Sequence, residues 1–264
     1  MVSTLWKKSA ATLRAARVVL PHPPDFPAWG RLLRLPNLLT VPGDVLAGFL
    51  LAPSAGLASW SHLLLALPSS LLLYAAGLCL NDLFDFAEDR RDRPDRPLPS
   101  GRVSREEAAG FALIFLWVAV FLAAFFDALP VALPLVLCLI AYDVGAKRIP
   151  LLGPLLMGAC RAGNLLLGAA AAGADGLVAA PAPMAGAVLL GLYIAAVTHL
   201  ARGEAVPGAK IAPRHIGQLL GLLIPLQALL GAAAFHRFPA NLLALALLPL
   251  LPLHRRLAAR FPPS

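Results

Sequence analysis

The chain has 264 residues, 59% of them hydrophobic and only 14% charged, with a mean hydropathy of +0.77. A soluble domain carries about a quarter of its residues as charged groups, so this composition excludes a water-facing globule, and its richness in apolar residues excludes a disordered chain. The net charge of +8 would suit a nucleic-acid binder, but the placement of the bases gives it another meaning.

The first twenty residues scatter Lys7, Lys8, Arg14 and Arg17, which breaks the continuous apolar core a secretory signal needs. Residues 1–30 read as a basic cytoplasmic tail. Apolar stretches near the roughly 20 residues that cross a bilayer then follow at 36–53, 57–80, 108–126, 128–145, 151–172, 184–201, 216–235 and 239–254. The fourth and eighth are short, and the first contains Asp44. Prolines 42, 68, 134, 154, 225 and 249 fall in these stretches, as membrane helices tolerate when neighbouring helices satisfy the freed backbone groups. None shows the period-two alternation of a membrane barrel. The expected fold class is an all-α integral membrane protein of about 8–9 transmembrane helices, with residues 31–264 as one domain.

With eight spans and a cytoplasmic N-terminus, twenty of the 22 Lys and Arg residues fall on one face; Arg237 lies on the other and Arg161 inside the fifth span. The positive-inside rule then puts both termini in the cytoplasm of a multi-pass cell-membrane protein. The basic balance reports orientation, and no nucleic-acid partner is expected. Cys79, Cys138 and Cys160 lie far apart in or beside apolar runs, without ligand spacing, and read as packing residues.

Polar chemistry gathers in residues 81–107, which hold eight of the 14 acids. The segment opens NDLFDFAED, and offsets of three and four stack Asp82, Asp85 and Asp89 on one face of a helix continuing from the second span. Like charges at that spacing repel. A hard divalent cation such as magnesium, which takes oxygen ligands and bridges carboxylates to phosphates, would offset the repulsion; the bland reading is a solvated loop whose acids are balanced by its arginines. RPDRPLPSGRVS follows as a stiff, turn-rich segment, and its arginines are suited to clamp a diphosphate.

The segment NDLFDFAEDRRDRPDRPLPSGRVS resembles the first aspartate-rich motif and following loop of the UbiA superfamily of intramembrane prenyltransferases. RLPNLLT at the first span and the Tyr142, Lys147, Arg148 pattern after the fourth are similar to that superfamily too. The resemblance implies a helical bundle whose central cavity opens to the membrane, and a magnesium-dependent transfer of a prenyl group from an isoprenoid diphosphate to an aromatic or other lipid-soluble acceptor. It implies that Asp82, Asp85 and Asp89 are catalytic as ligands of Mg2+. Asn81 would contact diphosphate or orient the metal shell, Asn37 would face the cavity, and Arg96 and Lys147 would neutralise departing phosphate.

One departure is plain. Where the family carries a second acidic motif after the sixth span, this chain reads YIAAVTHLARGEAVPGAK, with Glu204 the only carboxylate. Arg202 and Lys210 would then contact diphosphate directly, or the standard chemistry has been lost and the chain is a noncatalytic carrier of a lipid or isoprenoid. GPLLMGACRAGNLLLG together with ARGEA is similar to the EboC-like branch of the superfamily. In the fifth span Arg161 and Asn164 share a helical face. A buried arginine of this kind faces a cavity, where both residues would bind substrate, or pairs with an acid such as Asp44 to lock helices together. Asp143 and Lys147, four apart, are spaced to pair at a helix end.

Overall fold

The structure, a computed structural model, describes residues 25–53, 57–173, 181–202 and 213–261. Within them the chain is helical throughout. Helix α1 (Phe26–Leu32) starts on Asp25, whose carboxylate accepts from the Ala28 N–H at 3.0 Å. The helical body thus begins inside the segment expected as a tail. Asp25 also pairs with Arg102 at 2.7 Å, and that contact holds its carboxyl below its ordinary range. Ala28 and Leu32 of α1 pack with Cys79, Leu98 and Ala108. The chain then turns at Arg34, in the left-handed region with φ 44°, into a short α2 (Leu35–Leu38) and α3 (Val41–Leu51).

Helix α4 (Leu57–Phe84) is the longest, and α5 (Phe86–Asp92) follows after one residue. Helix α6 (Arg105–Ala124) begins with a capping box, in which Ser104 and Glu107 satisfy each other's backbone N–H groups. Next come α7 (Leu129–Val144), a 3-10 turn (Ala146–Arg148), α8 (Leu152–Ala171), α9 (Pro181–Arg202), α10 (Pro213–Gly221) and α11 (Leu223–Ala232). A 3-10 segment (Ala240–Leu247) leads into α12 (Leu250–Arg260).

The eight apolar stretches of the sequence all coincide with helical segments. Among the described residues six are long and apolar enough to cross a membrane, and two, Leu35–Leu51 and Leu129–Val144, are shorter. Helix α3 is the hub: it packs against α8, α11 and α4, and Val45, Phe49 and Leu50 on it are fully buried. Helix α8 is gripped between α3, α7 and α9. Outer helices present apolar faces outward, as lipid-facing surfaces do: Trp117 and Leu113 of α6 are 67% and 66% exposed.

Close helix approach at the hub depends on glycine. A Cβ on Gly168 would collide with the Val45 carbonyl oxygen, and one on Gly48 with that of Leu165, so α3 and α8 touch backbone to backbone. Gly168→Val should lower stability at or above the upper end of the about 1–3 kcal/mol typical of overpacking, because backbone cannot yield as a side chain does. Gly110→Ala, where nothing lies within 4 Å, should leave thermal unfolding in detergent unchanged.

Candidate active site

The acidic run does not lie on one unbroken helix. Helix α4 ends at Phe84, and Asp85 (φ −88°, ψ 0°) is the N-cap of α5. Backbone bonds still run from the Asp85 N–H to the Asn81 carbonyl (3.0 Å) and from the Asp89 N–H to the Asp85 carbonyl (2.8 Å), so the helical path carries on across this break. Each meets a different base. Asp82 accepts from Arg34 Nη2 at 3.4 Å, Asp85 pairs with Lys147 Nζ at 2.7 Å, and Asp89 pairs with Arg96 Nη1 at 2.7 Å. Asp82, Asp89 and Arg96 are buried. Asn81 links the groups: its Nδ2 donates to Asp143 Oδ1 at 2.9 Å, and its Oδ1 faces Arg34 Nη2 at 3.4 Å. Lys147 reaches Asp143 as well, at 3.6 Å, so the helix-end pairing of residues 143 and 147 forms, with Asp85 as a third member.

Five segments supply this cluster: the turn at Arg34, the end of α4, α5, the end of α7 and the 3-10 turn after it. The proline loop closes one side. Leu98 and Val103 anchor it in the apolar core, the Val103 N–H bonds the Pro97 carbonyl at 3.1 Å, and Gly101 supplies the positive φ (73°) of its turn. The loop thereby carries Arg96 back onto Asp89.

Beneath the cluster lies a cavity of about 110 Å³. Arg34, Asn81, Tyr142 and Asp143 line its acidic end, and apolar walls come from Leu73, Leu78, Leu135, Leu139 and Met157. Arg161, Asn164 and Tyr74 also line it. Arg161 lines the cavity and also pairs with Asp44. Its Nε lies 3.0 Å from Asp44 Oδ2, and its Nη2 donates to the Thr40 carbonyl at 2.9 Å and to Asp44 Oδ1 at 3.2 Å. Gln227 Nε2 donates to the same Asp44 oxygen at 2.6 Å and to the Thr40 carbonyl at 2.7 Å. One buried knot therefore ties α3, α8 and α11 together.

Asn37 and Arg202 lie apart from this lining. Asn37 does not join the cavity lining; it lines a separate crevice with Arg31, His254 and Phe261, because the turn at Arg34 directs α2 toward α12. The Arg202 guanidinium faces backbone. It donates to the carbonyls of Ile149 (3.0 Å), Pro150 (2.6 Å) and Lys147, capping the turn that carries Lys147. Lys210 and Glu204 lie outside the described residues.

Among the described residues no three His, Cys, Asp or Glu side chains converge to hold a metal. The donor set consists of hard carboxylate oxygens. It fits magnesium held through one or two carboxylates with phosphate oxygens completing the shell, the ordinary habit of that ion.

The sequence model of the UbiA prenyltransferase family matches residues 44–261. The chain belongs to the UbiA prenyltransferase family. It is 30% identical over 227 residues to a digeranylgeranylglyceryl phosphate synthase of Methanoculleus marisnigri, an alignment covering 80% of this chain and 76% of that one. A synthase of the same name from Methanococcus maripaludis is 34% identical over 99 residues, covering 38% of this chain and 36% of the relative; the chain spans about a third of the length of several such curated relatives. A structure of a UbiA homolog from Archaeoglobus fulgidus bound to DMAPP and Mg2+ superposes with a TM-score of 0.53 at 20% identity, covering 88% of this chain and 87% of that one. The fold is thus that of UbiA proteins, and the chain is a multi-pass membrane protein.

In this UbiA chain the sequence reading gave no role to Arg34, quoted only within RLPNLLT, and read Asp143 only as a helix-end partner. A signal for Arg34 was present: it sits directly before the LPNLLT run, where the chain must turn into the bundle. Gln227, an amide in the middle of an apolar stretch, was the visible sign of the knot around Asp44. The role of Arg202 leads to a prediction. Arg202→Met removes charge-assisted bonds to three carbonyls, each worth about 1.5–3 kcal/mol, and loosens the Lys147 turn. In a prenyl-transfer assay it should raise KM for the diphosphate donor about tenfold with a smaller change in kcat.

Proposed function

We propose that this chain is a magnesium-dependent prenyltransferase that moves a prenyl group from an isoprenoid diphosphate to a lipid-soluble acceptor. The observation that carries the reading is the cluster of Asp82, Asp85 and Asp89, each matched to a base, set over an apolar cavity. Such a cluster can exchange partners charge for charge. The carboxylates would hold Mg2+, which neutralises diphosphate charge when bound. Arg34, Arg96 and Lys147, freed from the carboxylates, turn to the diphosphate oxygens, where a planar guanidinium is well matched. Asn81 then orients the group at the cavity mouth.

The bond from the allylic carbon to diphosphate oxygen breaks, and the oxygen keeps the electron pair. The bases stabilise that developing charge. Leu73, Leu78, Leu135 and Leu139 keep water from the allylic cation, and the acceptor attacks it and loses a proton. The names of the relatives make an isoprenoid glyceryl phosphate one acceptor class to test; lipophilic aromatic compounds are the other. We place both termini on the cytoplasmic side of the cell membrane, as the distribution of bases supports.

The test uses the purified full chain in detergent with Mg2+, labelled geranyl or geranylgeranyl diphosphate, and acceptors of both classes. The expected result is a labelled prenylated lipid with release of diphosphate, abolished by EDTA. Tight donor binding without turnover across the whole panel would overturn the reading in favour of a noncatalytic lipid carrier, the alternative suggested by the single carboxylate after the sixth span.

A further inference from the structure

The crevice that Asn37 lines stands apart from the central cavity and is bordered by bases. Arg31 and Arg34 flank it on one side, His254 and Phe261 of α12 on the other. No carboxylate is among its lining residues, and residues 26–43 and 250–261 contain no acid. The two sides meet closely: a Cβ on Gly30 would lie 3.1 Å from Phe261 Cε1. The space between them is about 10 Å³, room for about one water-sized atom and none for a ring or an isoprenoid chain.

Two polar groups at that point are unmatched. His254 is 2% exposed, and its Nε2 is buried with no hydrogen-bond partner among the described residues. A native structure rarely leaves such an atom unpaired without a reason. The ring is held against α10, where a Cβ on Gly221 would come within 3.1 Å of Nδ1. Arg34 bonds through Nη2 alone, at 3.4 Å to both Asn81 and Asp82, so Nε and Nη1 are unengaged among the described residues. Around the crevice Arg31 is exposed, as are Arg255, Arg256 and Arg260 on α12. Leu253, next to His254, is 42% exposed, which sets apolar surface beside this basic rim.

We propose that the crevice binds the phosphate of an anionic membrane lipid, at a site separate from the one that takes the prenyl donor. One phosphate oxygen enters the gap and accepts from His254 Nε2–H and from the Asn37 amide. Arg31 and Arg34 make charge-assisted bonds to the outer oxygens. The exposed arginines of α12 draw anionic headgroups to the rim, and Leu253 lies where the acyl chains would run, so a lipid suits the site better than a free ion. Arg34 is the one residue that lines both the crevice and the central cavity. A phosphate that draws Arg34 to the crevice loosens its contact with Asp82 and frees that carboxylate for the metal. This coupling rests on the prenyltransferase reading; the binding site does not.

The full chain in detergent is titrated calorimetrically, at fixed ionic strength, with dihexanoyl phosphatidic acid, dihexanoyl phosphatidylcholine and inorganic phosphate. Wild type should bind the phosphatidic acid about tenfold more tightly than either of the others, as charge-assisted bonds to a buried group allow. Arg31→Met and His254→Phe should each remove most of this preference, and His254→Gln, which keeps a donor, should restore part of it. Arg31 is exposed, so its variant tests the site even where His254→Phe disturbs packing. Equal affinity for the two lipids in wild type, or a preference that survives Arg31→Met, overturns the site. Inorganic phosphate bound as tightly as phosphatidic acid overturns the lipid assignment. Prenyl transfer is then measured in phosphatidylcholine nanodiscs with and without phosphatidic acid. The Mg2+ concentration for half-maximal activity should fall about fivefold with phosphatidic acid in wild type and not in Arg31→Met, a comparison that cancels binding of Mg2+ by the lipid itself. An equal fall in both proteins overturns the coupling through Arg34. Preferential lipid binding with no prenylated product from any acceptor upholds the site and overturns the prenyltransferase reading instead.

Discussion

Asp44→Leu should remove most of the folded protein from detergent extracts, whereas Asp44→Leu combined with Arg161→Met should recover a large part of it. Asp44 is fully buried and Arg161 is 3% exposed. Removing the acid alone strands a guanidinium in the bundle interior, and breaking a buried pair in this way costs about 3–5 kcal/mol. Against a total stability of about 5–15 kcal/mol, that is enough to depopulate the fold. Replacing both partners with apolar side chains of similar volume is often neutral. Gln227 would keep the Thr40 carbonyl as its acceptor, so the double variant leaves it paired. Size-exclusion profiles and thermal unfolding midpoints of the two singles and the double form the test. If Asp44→Leu matched wild type, the knot would not be what locks α3 to α8 and α11.

The spans were legible in the sequence because lipid imposes a one-dimensional rule, an apolar run of sufficient length, and all eight runs became helices. The acidic segment was legible as a place, since charge is scarce elsewhere and concentrated there. Its internal geometry was not. Which base each carboxylate meets depends on how distant segments come together, Arg34 on Asp82 and Lys147 on Asp85, and no local spacing encodes that. Arg202 illustrates a second limit. Its position beside the expected second motif suggested phosphate contact; that it also caps three carbonyls of a turn about 53 residues earlier is encoded by no local spacing. The Asp44–Arg161 pair was foreseen as one of two alternatives because an ionised group inside an apolar span must find a partner or a cavity. This bundle, in which α8 carries Arg161 past α3 along the cavity wall, provides both.

Asp82→Asn and Asp85→Asn should each lower prenyl transfer about 10²–10³-fold, the range seen when one preorganised electrostatic contact is removed from a reacting centre, while leaving the fold intact. The amide matches the carboxylate in shape, so packing is kept and the charge alone is lost. Asp85 and its partner Lys147 retain side-chain exposures of 19% and 12%, and Lys147 keeps Asp143 as a second partner, so no base is stranded. Asp89→Asn is the contrasting case. Its partner Arg96 is buried with it, and losing that carboxylate should lower the unfolding midpoint as well as the activity. Magnesium dependence separates electrostatic loss from structural loss. If the carboxylates hold the ion, Asp82→Asn and Asp85→Asn should need a higher Mg2+ concentration for half-maximal activity at an unchanged unfolding midpoint. Full activity in either variant, or an unaltered magnesium requirement, would mean that these acids serve only to balance Arg34 and Lys147, and the ion would have to be sought elsewhere.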